Sequence, residues 1–387
     1  MKISLSTPHF FGQEEKMLKK CISSKWISSS GPFTKNFENK IKKYLKVKNI
    51  LGVINCTSAL QLSIRLLNPK FNEEIIVPSI TFVSPVNAVI YNNCKPIFMD
   101  CDKNFLIDID KVINFLEEET ILKKGKSYNK RTKKRILAII IVHTFGNLVN
   151  LNDKFIKACK DRNIRIIEDA AESFGSYYSS NRQKKHAGTL GYLGCLSFNA
   201  NKIITAGGGG MIIFSNKSLF NKALYLATQA KNNSTYFIHN EIGYNFRLSS
   251  LHAAIGLAQM SKIKEALKKK KLIHNLYKKE IDKVKGLKIL DKPSYSTSNY
   301  WLNILMIDKK KYGLTKKKII QNFKKIKIET RSIWYPNHLQ KPFKNFQKYK
   351  INNSSKVYAN SLCLPSSYNL DLKDQKKIIR LLKNKFK

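Results

Sequence analysis

Acidic residues are scarce in this sequence, and arginine is scarcer. The 387 residues carry 26 Asp+Glu against 71 Lys+Arg, a formal net charge of +45, and only nine of the basic residues are arginine. Base-edge readers of nucleic acid favour the guanidinium fork, which lysine cannot supply. The charge alone suggests a nucleic-acid binder, but the kind of base and its diffuse spread argue against one. No apolar run approaches the ~20 residues of a membrane-spanning helix. The longest, Ile136 to Val142, is the size of one buried strand. The opening MKISLSTPHF has no apolar stretch of the kind a secretory signal needs. Seven cysteines form no CxxC pair, which fits reduced thiols better than disulfides or a zinc site. These absences together predict a cytoplasmic protein with no membrane partner. Internal repeats are absent, as is any Pro/Gly/Ser linker long enough to separate independent domains.

What is present is a substantial core: 43% of the chain is hydrophobic and 11% aromatic, which excludes wholesale disorder. The lysines are thickest at Lys123–Arg135, Lys262–Lys285, Lys309–Lys327 and Lys373–Lys387, several of them with the spacing of solvated helix faces. From about Leu51 to Phe214, short apolar runs alternate with helix-like stretches. Runs at Ile75–Pro78, Pro96–Met99, Ile136–His143, Ile164–Glu168, Cys195–Phe198 and Met211–Phe214 predict strands. That alternation implies an α/β fold with a mainly parallel central sheet. The expected organisation is a large domain over 1–250 and a smaller C-terminal α/β domain over 251–387. The second would begin with one long helix, Leu251–Lys285.

Open α/β sheets bind ligands at the carboxyl ends of their strands, and polar residues cluster just there. Lys202 follows a predicted strand and precedes Gly207–Gly210. A lysine held in a pocket has a lowered amine pKa and can form an imine with a carbonyl; on local features a surface lysine in a glycine loop is an equal reading. Asp169 ends the Ile164 run, where burial of a carboxylate is costly without a positive partner. Its plainer reading is a helix N-cap. A lysine and a strand-end aspartate together suit pyridoxal 5′-phosphate (PLP), the lysine holding the aldehyde and the carboxylate keeping the pyridine nitrogen protonated. Thr57 and Ser58 open a helix after a strand and suit a phosphate monoester. Ser197 could add a hydroxyl, and Phe82 could stack on a ring, though a lone aromatic is more often core. His143, at a strand end, has no partner with metal-ligand spacing and looks like support for the site; no metal is expected.

The ordered blocks make the combination specific. They run from GPFTKNFE at Gly31–Glu38 through NCTSAL, EEIIVPSITFV, KPIFMDCD, VHTFGN, IEDAAESFGS, GTLGYLGCLSFNANKIITAGGGGMI and NEIGYNFRLSSLHAAIGLAQ to LCLPS at Leu362–Ser366. The chain thereby resembles, nearly end to end, the DegT/DnrJ/EryC1/StrS family of PLP-dependent nucleotide-sugar aminotransferases, with the type I aminotransferase fold. The resemblance implies that Lys202 carries the cofactor aldehyde and that Asp169 is the pyridine partner. It also places Phe82 on a ring face, Glu172 near the 3′-hydroxyl, and Thr57, Ser58 and Ser197 at the phosphate. Asn245 would reach the cofactor phosphate of a neighbouring subunit, which implies a homodimer with shared sites. L-Glutamate would be the amino donor.

The stretch around Lys202 and ETRSIWYPNHLQKPF at Glu329–Phe343 are most similar to a LegC-like subgroup. That subgroup aminates C4 of UDP-linked 4-keto-6-deoxy-N-acetylhexosamines, for surface polysaccharide or nonulosonic acids. A GDP-4-keto-6-deoxymannose (perosamine-type) substrate is the alternative. Ser28, Ser29, Ser30, Arg331, Trp334 and His338 are the candidates for the sugar–nucleotide groove; Trp334 could equally pack at a domain interface and His338 serve the fold. The chain departs from the family at Cys56, where glycine is usual, and at Ala200. A basic nucleic-acid binder and a catalytically idle PLP-fold regulator are the readings from other classes.

Overall fold

The computed structural model describes residues 2–179, 184–233 and 235–387. Its centre is an eight-stranded sheet. In spatial order the strands are Asn49–Val53, Gly210–Phe214, Leu193–Ser197, Arg165–Asp169, Ile136–Val142, Glu74–Pro78, Lys95–Met99 and Lys348–Tyr349. All neighbours are parallel except the two pairs made by Gly210–Phe214. That one reversed strand lets the carboxyl ends of both its neighbours and its own first residue meet at one edge. Val53 and Ser197 both register with Gly210, and Cys195 registers with Asp169.

Period-two alternation assigns the side chains of the sheet to two layers. Ala138, Ile140 and Val142 face one layer, where the helices Cys56–Arg65, Ser84–Tyr91 and Lys217–Ala227 pack. Ile139 and Ile141 face the other, covered by Ile109–Glu118 and Asp153–Asp161. The apolar run Ile136–Val142 is buried along its whole length because helices cover both faces. Several helices start on an Asn or Asp whose side chain accepts an N–H of the first turn: Asn55 from Ser58, Asp108 from Lys111 and Asn152 from Phe155.

The stretch expected as one helix over Leu251–Lys285 is two, Ser250–Met260 and Ile263–Ile281, broken at Ser261–Lys262. The first contributes Ala253 and Met260 to the core around Phe37 and Ile41. The second carries Ile273, Tyr277 and Ile281 into the core of a smaller antiparallel sheet. That sheet runs Leu287–Ile289, Asn303–Ile307, Ser361–Leu364, Arg331–Ser332. Ile263 and Ala266 at the start of the second helix still pack beside Ala253 and Met260, so this helix reaches both cores, and periodicity alone does not show the break before it. Two threads also cross between the sheets. Ile3 bridges Ile328 beside the small sheet, and Lys348–Tyr349 pairs onto the large sheet beside Lys95–Met99.

The second thread is tied down by Asp100, whose carboxylate is wholly buried. It accepts the Lys111 ammonium at 2.6 Å and backbone N–H groups of Asn352 and Ser354 at 2.8 Å, the latter opening the turn of helix Asn353–Ala359. Burial opposes its ionisation, but the Lys111 ammonium and the Asn353, Ser354 and Asn352 donors win and hold its carboxyl well below the usual carboxylate range. Asp100→Ala should destabilise the fold by about 2–4 kcal/mol in chemical denaturation, since several buried donors lose their acceptor. Because the folded pKa is depressed, this stabilisation is present above about pH 4 and is lost as pH falls through the folded value. The wild-type and variant denaturation midpoints should therefore converge in acid.

Candidate active site

At the meeting point of the strand ends lies a cavity of about 440 Å³. Asn55, which follows the first strand, caps helix Cys56–Arg65 and points that helix's N-terminus at the cavity. Gly210 runs so close to it that an added Cβ would stand 2.7 Å from the Asn55 carbonyl carbon and the Cys56 nitrogen. Gly209, at φ +109°, turns the chain into that approach. The glycine run is thus explained by backbone packing beneath the pocket. Cys56 occupies the first turn of the helix, so its Cβ causes no clash there, and its thiol lies 4.0 Å from Asp169 Oδ1.

Lys202, Asp169 and Glu172 all line this cavity. Asp169 ends its strand at 4% exposure, with Oδ1 accepting the Ala171 N–H at 3.0 Å. Glu172 is equally buried, and its Oε2 accepts the N–H of Phe145 at 2.7 Å. Phe145 has left-handed backbone, φ +58°, which is strained for a non-glycine residue. Loss of water moves all three groups toward their neutral forms. Burial pushes the Asp169 carboxyl up against the pull of the Ala171 N–H, Lys202 and His143. It pushes Glu172 up to about 7, against Lys202 and the Phe145 N–H. It pushes the Lys202 ammonium down, while Glu172, Asp169 and Cys56 pull it back.

The other expected residues divide. Thr57, Ser197 and Phe82 line the same cavity, with Thr57 Oγ1 donating to Ser84 Oγ at 2.9 Å and Phe82 53% exposed. Ser58 does not line it; its N–H is taken by the Asn55 side chain at 2.8 Å. Arg331 and Trp334 line the rim, Arg331 paired with Glu329 at 2.6 Å and Trp334 stacked on Phe145 at 4.3 Å. His338, expected in the groove, does not line this cavity. It is buried away from the cavity, and its Nδ1 is 2.6 Å from Ser79 Oγ. Ser28, Ser29 and Ser30 also lie outside this cavity. The carbonyls of Ser28 and Ser30 hold Ser250 at the start of its helix. Asn245 is exposed and outside it too. His143 Nε2 is 2.9 Å from Glu168 Oε2 and its Nδ1 accepts the Val149 N–H, so both nitrogens serve the scaffold. Trp301, which no sequence pattern singled out, lines the cavity with its ring 3.8 Å from Lys202 Nζ.

The donor set fits PLP. An amine able to form an imine, a buried carboxylate for a ring nitrogen and a helix N-terminus with hydroxyls for a phosphate face one space. Comparison with known proteins agrees. The profile of the DegT/DnrJ/EryC1/StrS aminotransferase family matches residues 11–383. The chain belongs to this family. Its members are PLP-dependent sugar aminotransferases. The chain is 32% identical to the putative pyridoxal phosphate-dependent aminotransferase EpsN of Bacillus subtilis (strain 168), covering 100% of this chain and 96% of that one. It is also 32% identical to a GDP-perosamine synthase of Escherichia coli O157:H7, over 87% of this chain and 85% of the relative. Among solved structures, the aminotransferase TlmJ from Streptoalloteichus hindustanus has the same fold, with a TM-score of 0.87 at 24% identity, covering 99% of this chain and 98% of that one.

Membership brings the cofactor, and Glu172 offers a pH test of how the site receives it. Below about pH 7 Glu172 is neutral; above it the cavity gains one negative charge beside Lys202. PLP binding by the apoprotein should therefore show an inflection near pH 7. Glu172→Gln keeps an acceptor for the Phe145 N–H but cannot titrate, so that inflection should vanish from a spectrophotometric binding profile.

Proposed function

We propose that this aminotransferase moves the amino group of L-glutamate to C4 of a nucleotide-linked 4-keto-6-deoxy sugar. The observation that carries the reading is the placement of Lys202 and the buried Asp169 and Glu172 in one cavity that Arg331 and Trp334 also line. PLP, when bound, supplies an electron sink for breaking the bond at the donor's α-carbon. Lys202 holds the aldehyde of the resting cofactor and, once displaced, is the base that accepts the α-proton and returns it to the product side. Burial favours this role by lowering the ammonium's pKa, which raises the share of free amine able to accept a proton. Asp169 would hold the ring nitrogen of the bound cofactor protonated and would gain there the counter-charge its buried carboxylate needs. Glu172 borders the space for the 3′-hydroxyl, and Thr57 and Ser197, with the helix N-terminus, take the phosphate.

Two sugar classes are supported by different observations. The Glu329–Phe343 stretch resembles the subgroup acting on UDP-linked N-acetylhexosamines. The relative named GDP-perosamine synthase, at 32% identity, favours a GDP-linked 4-keto-6-deoxymannose at least as well. Both make the product an amino sugar for surface polysaccharide synthesis. A homodimer with shared sites belongs to the same proposal. Asn245 faces solvent, and nearby Ile242 and Tyr236 are 84% and 76% exposed, an apolar surface suited to a second copy.

Lys202→Ala should lower turnover at least about a thousandfold and abolish the absorbance of the lysine-bound cofactor; normal activity in that variant would sink the assignment. Purified protein should transfer amine from glutamate to one member of a panel of UDP- and GDP-4-keto-6-deoxy sugars. Product analysis by NMR reads both the nucleotide and the new stereocentre, and failure with every 4-keto sugar overturns the substrate reading.

A further inference from the structure

Lys202 Nζ makes no ion pair and no side-chain hydrogen bond among the described residues; the group it faces most closely is the ring of Trp301, at 3.8 Å. That ring is held with unusual completeness. Its backbone N–H donates to Asn299 Oδ1 at 2.8 Å, and its carbonyl accepts the buried Lys270 ammonium at 3.1 Å. Its Nε1–H donates to the Asn201 carbonyl at 2.6 Å, beside Lys202 itself. Asn299 in turn donates to the carbonyl of Glu172 at 2.9 Å, so the indole and one cavity carboxylate share an anchor. Behind Trp301 lies Trp334, nearly parallel at 6.3 Å, and behind that Phe145 at 4.3 Å. Trp301 is 4% exposed and cannot swing away without breaking this wall.

We propose that Trp301 is a positioning residue for amine transfer: its indole face seats Lys202 Nζ whenever that nitrogen is not bonded to the cofactor, and stabilises it once it has taken up a proton. After the donor displaces it, Lys202 leaves as a free amine and its lone pair takes the α-proton of the donor. The resulting ammonium must keep that proton until it is delivered. An aromatic face stabilises the cation through its quadrupole yet has no lone pair that could accept the proton. The other groups facing this nitrogen are Asp169, Glu172 and the Cys56 thiol. A carboxylate hydrogen-bonded to the ammonium would compete for the proton; the indole does not. Lys270 extends the arrangement without acidic help, since it bonds the carbonyls of Trp301 and Ser366. The inference rests on the assignment of Lys202, which the alanine variant above tests separately.

The test uses the apoprotein and three variants. Removing the aromatic face withdraws support from the ammonium, so neutral amine becomes available at lower pH. The pH midpoint for capture of PLP, read as imine absorbance, should fall by about 0.4 to 1.5 pH units in Trp301→Leu. It should fall less in Trp301→Phe, which keeps a weaker face. Turnover should drop in the same order with the KM for glutamate nearly unchanged. Midpoints equal to wild type in both variants, with melting curves showing folded protein, overturn the proposal. An equal shift in both also overturns it, because the seat would then not depend on the ring. If Trp301→Leu does not fold, tryptophan emission decides. A pH-dependent emission step in the wild-type apoprotein that disappears in Lys202→Met supports the seat; no step, or a step surviving in Lys202→Met, overturns it.

Discussion

Glu168 and Asp169 are consecutive residues at the end of one strand, so their side chains point to opposite sides of the sheet. Glu168 turns inward. It accepts His143 Nε2 at 2.9 Å, the N–H of Gly188 at 2.8 Å and that of Leu190 at 2.6 Å, with Gly191 completing the set. Burial works against its charge, yet these partners, His143 first, hold its carboxyl below the usual range. Asp169 turns toward the cavity and is left with one backbone N–H and a thiol. The satisfied carboxylate fixes the strand end; the under-satisfied one is available to a ligand. Every other element of the site is arranged around that division. The reversed strand Gly210–Phe214 brings the Asn55 cap alongside, and the strained Phe145 carries Glu172 into the same space.

The cavity and the surface obey opposite electrostatic rules. A chain of net charge +45 has an excess of solvated lysines, and their mutual repulsion is screened within about 10 Å at moderate salt. Inside the cavity there is no such screening, so two carboxylates and one amine determine the chemistry. The basic surface is at most a weak attractor for phosphate-bearing or dicarboxylate ligands. Family membership and the site together account for an aminotransferase, and neither draws on the surface charge.

Much of this is legible in the sequence, and the reason is local. Apolar runs ending in polar residues mark strands whose carboxyl ends face a ligand site, and Asp169, Ser197 and Thr57 could be read from that pattern. Lys202 needed the glycine run after it. The fold class followed from the alternation of runs and helix-like stretches. Long-range contacts were what remained hidden. His338 bonds Ser79, 259 positions earlier, and lies outside the cavity. Ser28 and Ser30 support the helix at Ser250, a relation no spacing rule conveys. Trp301 is one of three tryptophans, and only the folded chain brings its face to a lysine 99 residues back. The break at Ser261–Lys262 was equally invisible, since neither glycine nor proline marks it.

The bridge between Ile3 and Ile328 sets an order of events for a growing chain. Leu5 and Ser6 border the cavity, and the Leu5 carbonyl accepts the N–H of Ser366 at 2.7 Å. Residues 3–6 therefore have nowhere to rest until the stretches around Ile328 and Ser366 have been made. The large sheet, apart from its edge strand Lys348–Tyr349, can assemble while the ribosome is still working. The rim of the cavity cannot, because its contacts span nearly the whole length of the chain. A half-made chain thus exposes cofactor-binding strand ends without the wall that encloses them, and the site closes only when Leu5 meets Ser366.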